Sequence, residues 1–250
     1  MPARCLQKTS RDWKTSCCRQ PHQLLLALSN IRHHSIPPAL SQPPSHPLAQ
    51  APDESVRGFL SDHEGRQLYD WAVSAARIGP VLEIGSYCGR STLWLAQAAQ
   101  LHRTVVYAVD HHQGSDEHQP GESHHDPALT DATGQVDTFT EFRRNIAQAG
   151  LEEVVVPIVA SSGQLAPHWQ TGLGMVFVDG GHSLEAALTD YRAWAPHIRP
   201  GGILAIHDVF PDPAMSGLAP FTIWQLASDS GLFEPLSSVD SFRGLARINP

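Results

Sequence analysis

Residues 81–92 read VLEIGSYCGRST: a four-residue apolar run holding one acid, a loop bracketed by Gly85 and Gly89, and then the helical pattern Leu93, Trp94, Leu95, Ala96. A strand ending in such a loop is a nucleotide cradle. Glycine reaches backbone angles closed to other residues and puts no side chain between chain and ligand, while the following helix turns free N–H groups toward it. A second acid, Asp110, closes the next apolar run, residues 105–109, at the place where a ribose lies when the two strands are neighbours. Together the loop and the acid predict an adenosine-containing cofactor.

Working outward from this stretch, apolar runs of strand length alternate with segments of helical period from residue 53 onward, the pattern of a parallel sheet with crossover helices. The spacing predicts helices over 61–77, 90–100, 137–149, 183–195 and 218–230. Strands are predicted over 81–84, 104–109, 154–159, 174–178, 202–206, 232–236 and 242–248. The polar stretch 111–136 is longer than the roughly 12–15 residues usual for a structureless connection, which marks it as a lid over the site.

At 250 residues and 41% apolar content the chain can form one sizeable α/β core. Residues 1–50 carry six Lys and Arg against one acid, a local +5, so the remainder holds −13 within the overall −8. An acidic body argues against nucleic acid as partner. Cys5, Cys17, Cys18 and Cys88 have neither zinc-knuckle nor disulfide-framework spacing, which points to a reducing, cytoplasmic setting. The longest apolar stretch of the first fifty residues, 24–28, is shorter than a signal-peptide core of about 7–15 residues, and no stretch approaches the roughly 20 of a membrane span. With Pro37, Pro38, Pro43, Pro44 and Pro47 among Ser, Gln and His, residues 1–52 read as a disordered leader ahead of a domain over 53–250. An organelle-targeting peptide is the second reading, supported by the Arg and Ser content but not by any amphipathic helix.

Three polar groups end buried strands at the carboxyl edge of the predicted sheet: Asp179 after one, and the pair His207-Asp208 after the next. That edge is where doubly wound folds bind ligands. His182 follows Asp179 by three residues at a helix start. Each group also has an ordinary structural reading, the acids as helix caps and His207 as a hydrogen-bonded core histidine. The lid gathers His111, His112, His118, His124 and His125 with Asp116, Glu117, Glu122 and Asp126. No pair there has helix-face or zinc-ribbon spacing, and a solvated polar loop is the preferred reading. His112 stands close enough to Asp110 to reach substrate or metal, and Cys88 reads as a small packing residue.

VLEIGSYCGRST, the acid of VYAVD, MVFVDGGHS (175–183) and RPGGILAIHDV (199–209), in this order and spacing, resemble the class I S-adenosylmethionine-dependent methyltransferases over residues 80–248. DGGH followed by a helix and then GGxxxxHD is similar to the small, often metal-assisted O-methyltransferases related to the catechol and macrolide-sugar enzymes. The resemblance implies a doubly wound, Rossmann-like seven-stranded sheet whose last strand, 242–248, is antiparallel. It implies that Glu83, Gly85, Ser86 and Gly89 line the methionine end of the cofactor, that Asp110 accepts from both ribose hydroxyls, and that Ser161 or Ser162 meets the adenine edge. It further implies a divalent cation on Asp179 and Asp208, with His207 as ligand or orienting group, and His182 as general base for methyl transfer to the hydroxyl of a small-molecule acceptor.

The sequence departs from the catechol pattern, which has lysine at the position of His182 and an Asp-Asn pair at 207–208. Imidazole titrates near 6.5 and suits a base at neutral pH, whereas a lysine needs its pKa depressed by several units. A histidine ligand favours a transition metal over Mg²⁺, which prefers oxygen. Two other classes stay open from the residues alone. One is an NAD-dependent oxidoreductase, against which the loop lacks a close GxGxxG triplet. The other is a metal-dependent hydrolase or lyase built on the His-rich loop. The acceptor's specificity elements are expected in the lid and in 210–221, and the C-terminal sheet edge offers a place for self-association into a homo-oligomer.

Overall fold

Apolar runs without polar alternation must be covered on both faces, which helices packed on either side of a parallel sheet achieve. The computed structural model describes residues 46–181, 183–210 and 218–248 and has this architecture. Seven strands, β1 (Val81–Ile84), β2 (Val106–Asp110), β3 (Val155–Val159), β4 (Leu173–Val178), β5 (Ile198–Ile206), β6 (Phe233–Pro235) and β7 (Arg243–Arg247), form one sheet in the order β3-β2-β1-β4-β5-β7-β6. β1 to β5 pair in parallel, and β7 runs antiparallel between β5 and β6. The helices are α1 (Asp62–Ala75), α2 (Arg90–Leu101), α3 (Phe139–Gln148), α4 (Ser162–Leu165), α5 (Leu184–Trp194) and α6 (Ala219–Asp229). This is the doubly wound α/β fold with a reversed last strand that the resemblance implies.

The strand order places a topological switch between β1 and β4. The chain leaves β1 for β2 and β3 on one side, then returns to β4 on the other, so the carboxyl ends of β1 and β4 flank an open crevice. Side chains alternating along β4 fill the two faces. Met175 and Phe177 pack with Leu68, Trp94 and Phe142 of α1, α2 and α3, and Val176 packs with Trp194, Leu204 and Ile223 on the opposite side. α1 opens with a reciprocal cap in which Ser61 accepts from the Glu64 N–H and Glu64 reaches back to the Ser61 N–H.

Three differences from the sequence-based expectation have local causes. β5 begins at Ile198 and not at 202, because the strand runs through Pro200 and Gly201 by shifting register opposite Leu173 and Met175. α4 is too short, at four residues, to carry a readable period. Residues 46–52, assigned to the leader by their prolines, lie along the domain. Tyr69 donates its hydroxyl to the Pro47 carbonyl at 2.7 Å, Gln50 and Gln97 exchange two hydrogen bonds, and Ala49 and Ala51 pack on the core. The rest of the expected leader, residues 1–45, and the segment 211–217 lie outside the described residues, as does His182. Among the described residues no helix is long and apolar enough to cross a membrane.

Candidate active site

The loop after β1 turns so sharply that Gly85 sits at φ 85°, and a Cβ there would overlap the Asp179 carbonyl at the tip of β4. Glycine is required at this point by the approach of the two strand ends. Gly89, at φ 92°, caps α2 in a left-handed conformation. No side chain caps the helix and its first turn holds no acid, so its leading N–H groups are left for a ligand. Ser86 is 1% exposed and its Oγ has no hydrogen-bond partner, an orphaned donor at the floor of the cradle. Asp110 is aimed by the main chain: one carboxylate oxygen accepts the Tyr87 N–H at 2.8 Å and the other the His112 N–H at 2.7 Å.

Glu83 lies behind this loop. It is fully buried, accepts the Thr92 hydroxyl at 2.5 Å on one oxygen and leaves the other unpartnered. Burial pushes its carboxyl up to about 8, against the lowering effect of Ser91 and Thr92. It therefore touches the cradle through α2, without reaching the cavity wall.

At the other side of the crevice, Asp179 follows β4 and His207-Asp208 follow β5. His207 is 4% exposed. Its Nδ1 lies 3.0 Å from Asp179 Oδ1 and 3.5 Å from Asp208 Oδ2, and its Nε2 lies 3.3 Å from Glu64 Oε2 on α1. Burial disfavours a charged imidazole, but the carboxylates of Asp179, Glu64 and Asp208 outweigh it and hold the His207 pKa well above the ordinary range. Conversely Glu64, which burial alone would raise, is held well below the usual carboxylate range by His207, Ser241 and Ser61. One donor atom each from Asp179, His207 and Asp208 lies within 4.8 Å of the other two, a set that can hold a divalent cation. Asp208 takes φ 57°, and with Tyr87 and His112 it makes three left-handed non-glycine residues at strand tips around the crevice.

A single cavity of about 570 Å³ joins the two sides. Gly85, Ser86, Asp110, Ser161, Ser162, Asp179 and Asp208 line it; Glu83, Gly89 and His207 stand behind its wall. The serine doublet is already engaged. Ser161 caps α4 by accepting from the Gln164 N–H, and Ser162 donates a short hydrogen bond to Asp190 of α5. Asp190, which burial pushes up to about 6 despite that bond, is thus a polar group at this end that sequence reading missed. So is Glu64, whose place in a capping box marks a helix start but gives no hint of a partner on β5.

The mouth of the cavity carries rings. Phe59, 60% exposed, stands 5.7 Å from Tyr87, 5.9 Å from His118 and 5.1 Å from His124, centroid to centroid. His112 does not join them. It is buried against Phe139 and Phe142 with Nδ1 2.7 Å from the Thr138 hydroxyl, so it supports the Asp110 turn and does not reach substrate or metal. Among the described residues the lid histidines form no converging set of three metal donors. Cys88 is a free, buried thiol pushed up to about 12 by burial, a packing residue as its surroundings predict.

A sheet of this order, with a glycine cradle and ribose-type acid on one side of the switch point and a polar cluster on the other, defines the Rossmann-like class that binds a nucleotide at its switch point. A family model described as a methyltransferase domain matches residues 82–209, and the chain belongs to that family. Among solved structures it is similar to cofactor-bound Rv0187 from MTB, at 20% identity over 77% of this chain and 84% of that one, TM-score 0.56. It is also similar to the O-methyltransferase TomG from Streptomyces achromogenes, involved in tomaymycin synthesis and solved with SAM: 17% identity, 76% and 82% covered, TM-score 0.53. A third is an O-methyltransferase from Bacillus cereus in complex with SAH, at 17% identity, 76% and 83% covered, TM-score 0.52. At such identities the likeness establishes the fold. Family membership selects methyl transfer among the three classes the residues left open.

Proposed function

We propose that the protein transfers a methyl group from S-adenosylmethionine to the hydroxyl of a small molecule, with a divalent cation at Asp179, His207 and Asp208 and His182 as general base. The observation that carries this reading is the shared cavity, which Asp110 and Ser86 line together with Asp179 and Asp208. S-adenosylmethionine, held by Asp110, Ser86 and the open start of α2, would supply a sulfonium methyl, the acceptor oxygen gaining the O–C bond as the S–C bond electrons leave on sulfur. A divalent cation supplies positive charge that lowers the acceptor's hydroxyl pKa.

The chain's own residues position and accept. Asp110 accepts from the ribose hydroxyls, a task for which a carboxylate with both oxygens fixed is suited. Ser86 and the open start of α2 hold the methionine end. His182 takes the hydroxyl proton; its neighbour Gly181 lines the cavity. Of the arginines on the cavity wall, Arg57 is paired with Asp126 and Glu141, and Arg90 with Asp62 and the Leu60 carbonyl. With both committed, a neutral acceptor fits better than an anionic one, and Phe59, Tyr87, His118 and His124 offer it a ring-lined entrance. The same reading assigns a cytosolic setting, a small-molecule acceptor, no nucleic-acid or membrane partner, and a C-terminal sheet edge at β6 where two copies could pair into a homo-oligomer.

Titration calorimetry with S-adenosylhomocysteine and with NAD, followed by transfer of labelled methyl to hydroxylated compounds with and without chelator, tests the proposal. Binding of S-adenosylhomocysteine and chelator-sensitive labelling are expected. Binding of NAD alone would overturn the reading, and labelling indifferent to chelator would remove the cation from it.

A further inference from the structure

Glu64 and His207 are 143 residues apart in the chain and meet behind the tips of β4 and β5. Resting on the reading that a cation occupies the Asp179 group, we propose that Glu64 is a positioning residue that presents His207 Nδ1 as a third ligand, making a nitrogen-bearing site that selects a transition-metal ion over Mg²⁺.

The geometry assigns each ring nitrogen a task. Nε2 faces a carboxylate that can only accept, so it carries the N–H. Nδ1 stands 3.0 Å from Asp179 Oδ1 and 3.5 Å from Asp208 Oδ2, so in the ion-free protein it too gives a proton to a carboxylate, and a cation among the three would take the place of that proton. The three donor atoms lie within 4.8 Å of one another, close enough together for one ion to serve all. Metal-bound histidines characteristically give their other N–H to a carboxylate, which fixes tautomer and ring orientation.

Glu64 is itself immobilised. One oxygen accepts from the Ser241 N–H at 3.2 Å and hydroxyl at 2.8 Å, and the other from the Ser61 hydroxyl at 3.0 Å and N–H at 3.3 Å besides His207. At 5% exposure and absent from the cavity wall, it acts only through His207. Imidazole nitrogen suits Zn²⁺, Co²⁺ or Ni²⁺, whereas Mg²⁺ holds to oxygen and keeps its waters.

The test titrates the metal-stripped full chain with Zn²⁺, Co²⁺ and Mg²⁺, each with and without S-adenosylhomocysteine. Zn²⁺ and Co²⁺ are expected to bind roughly 100-fold tighter than Mg²⁺ or more, following the usual order for nitrogen-bearing sites. Long-range ¹H–¹⁵N spectra of the Zn²⁺ form, assigned with His207→Gln, should show Nδ1 on the metal and Nε2 protonated. Glu64→Gln should weaken Zn²⁺ and Co²⁺ by about 10–100-fold and alter the visible Co²⁺ spectrum. Ser241→Ala, which loosens Glu64 on the side away from His207, should lower the Tm and leave the Co²⁺ spectrum as in the parent.

Mg²⁺ binding as tight as Zn²⁺, an imidazole protonated on both nitrogens in the Zn²⁺ form, or an unchanged Co²⁺ spectrum in a folded Glu64→Gln would each overturn the proposal. Should Glu64→Gln fail to fold, the spectrum of the parent alone decides. A protein that binds S-adenosylhomocysteine but no divalent ion loses the selective site and keeps methyl transfer. One that binds Zn²⁺ through His207 but no S-adenosylhomocysteine loses methyl transfer alone.

Discussion

The two walls of the cavity are held by different means. On the β1–β2 side the acid is aimed by main-chain N–H groups, those of Tyr87 and His112 on Asp110, and the cradle is shaped by two left-handed glycines. On the β4–β5 side, Asp179, His207 and Asp208 are joined through side chains and braced from α1 by Glu64. A wall built from backbone is set by its local sequence and tolerates side-chain exchange. One built from facing charges depends on partners far away, and loses several of them when one is removed.

The sharpest contrast between the walls is functional. His182→Ala should cut turnover by about 10²–10⁴-fold, the usual effect of losing a general base, while the affinity for S-adenosylhomocysteine stays within error. Single-turnover kinetics beside calorimetry would separate the two. Turnover that survives the substitution removes His182 from the chemistry.

Asp110→Ala should show the opposite pattern, with the loss falling on cofactor binding. Two hydrogen bonds to a charged acceptor disappear, and each is typically about 1.5–3 kcal/mol, so an affinity drop on the order of 10–100-fold is expected once partial compensation by water is allowed for. The substitution also strands the Tyr87 and His112 N–H groups, so a loss of Tm should accompany it. Unaltered S-adenosylhomocysteine binding would mean that the ribose lies elsewhere, and the assignment of the two walls would have to be exchanged.

The same contrast explains what could be read in advance. The β1 loop, Asp110 and the strand-end polar groups at 179 and 207–208 were all visible as breaks in apolar runs, at the carboxyl edge where doubly wound sheets bind ligands. The parallel sheet with crossover helices followed from the alternation of elements, and the antiparallel last strand only from the resemblance. Glu64 was invisible, since its short-range signal is a capping box and its His207 contact arises only when α1 packs across the sheet. His112 was misread for a related reason: adjacency to Asp110 suggested reach, whereas its left-handed backbone turns the ring inward onto Phe139 and Phe142. Ser162 shows a third case, a hydroxyl placed at the right strand end but already committed to Asp190 on α5.

A smaller effect sharpens the backbone-built wall. Ser86 Oγ is buried without a partner in the ligand-free protein, so Ser86→Ala should leave the Tm unchanged or slightly raised. Affinity for S-adenosylhomocysteine should fall only a few-fold, in keeping with about 0.5–1.5 kcal/mol for one neutral hydrogen bond. A Tm loss of several degrees would show that the hydroxyl is structural and that the cradle relies on side chains as the opposite wall does.

Glu83 tests where the first wall ends. Burial pushes its pKa up to about 8 from an ordinary 4.5, so between those values the native state keeps a proton that the unfolded chain gives up. Stability then falls as pH rises through that window, because the native state binds more protons there, and the decline levels off above about 8. Glu83→Gln removes the ionisation while keeping an oxygen for the Thr92 hydroxyl. The Tm advantage of the variant should therefore grow from pH 5 to 8 and hold steady beyond, by a few degrees in a chain of this size. Saturating S-adenosylhomocysteine then discriminates between two roles for the carboxylate. If the ligand's ammonium lies close enough to favour the ionised form, the slope in the parent flattens. If the slope persists unchanged, Glu83 fastens β1 to α2 through Thr92, and the cofactor-binding wall consists of Gly85, Ser86 and the open turn of α2 without it.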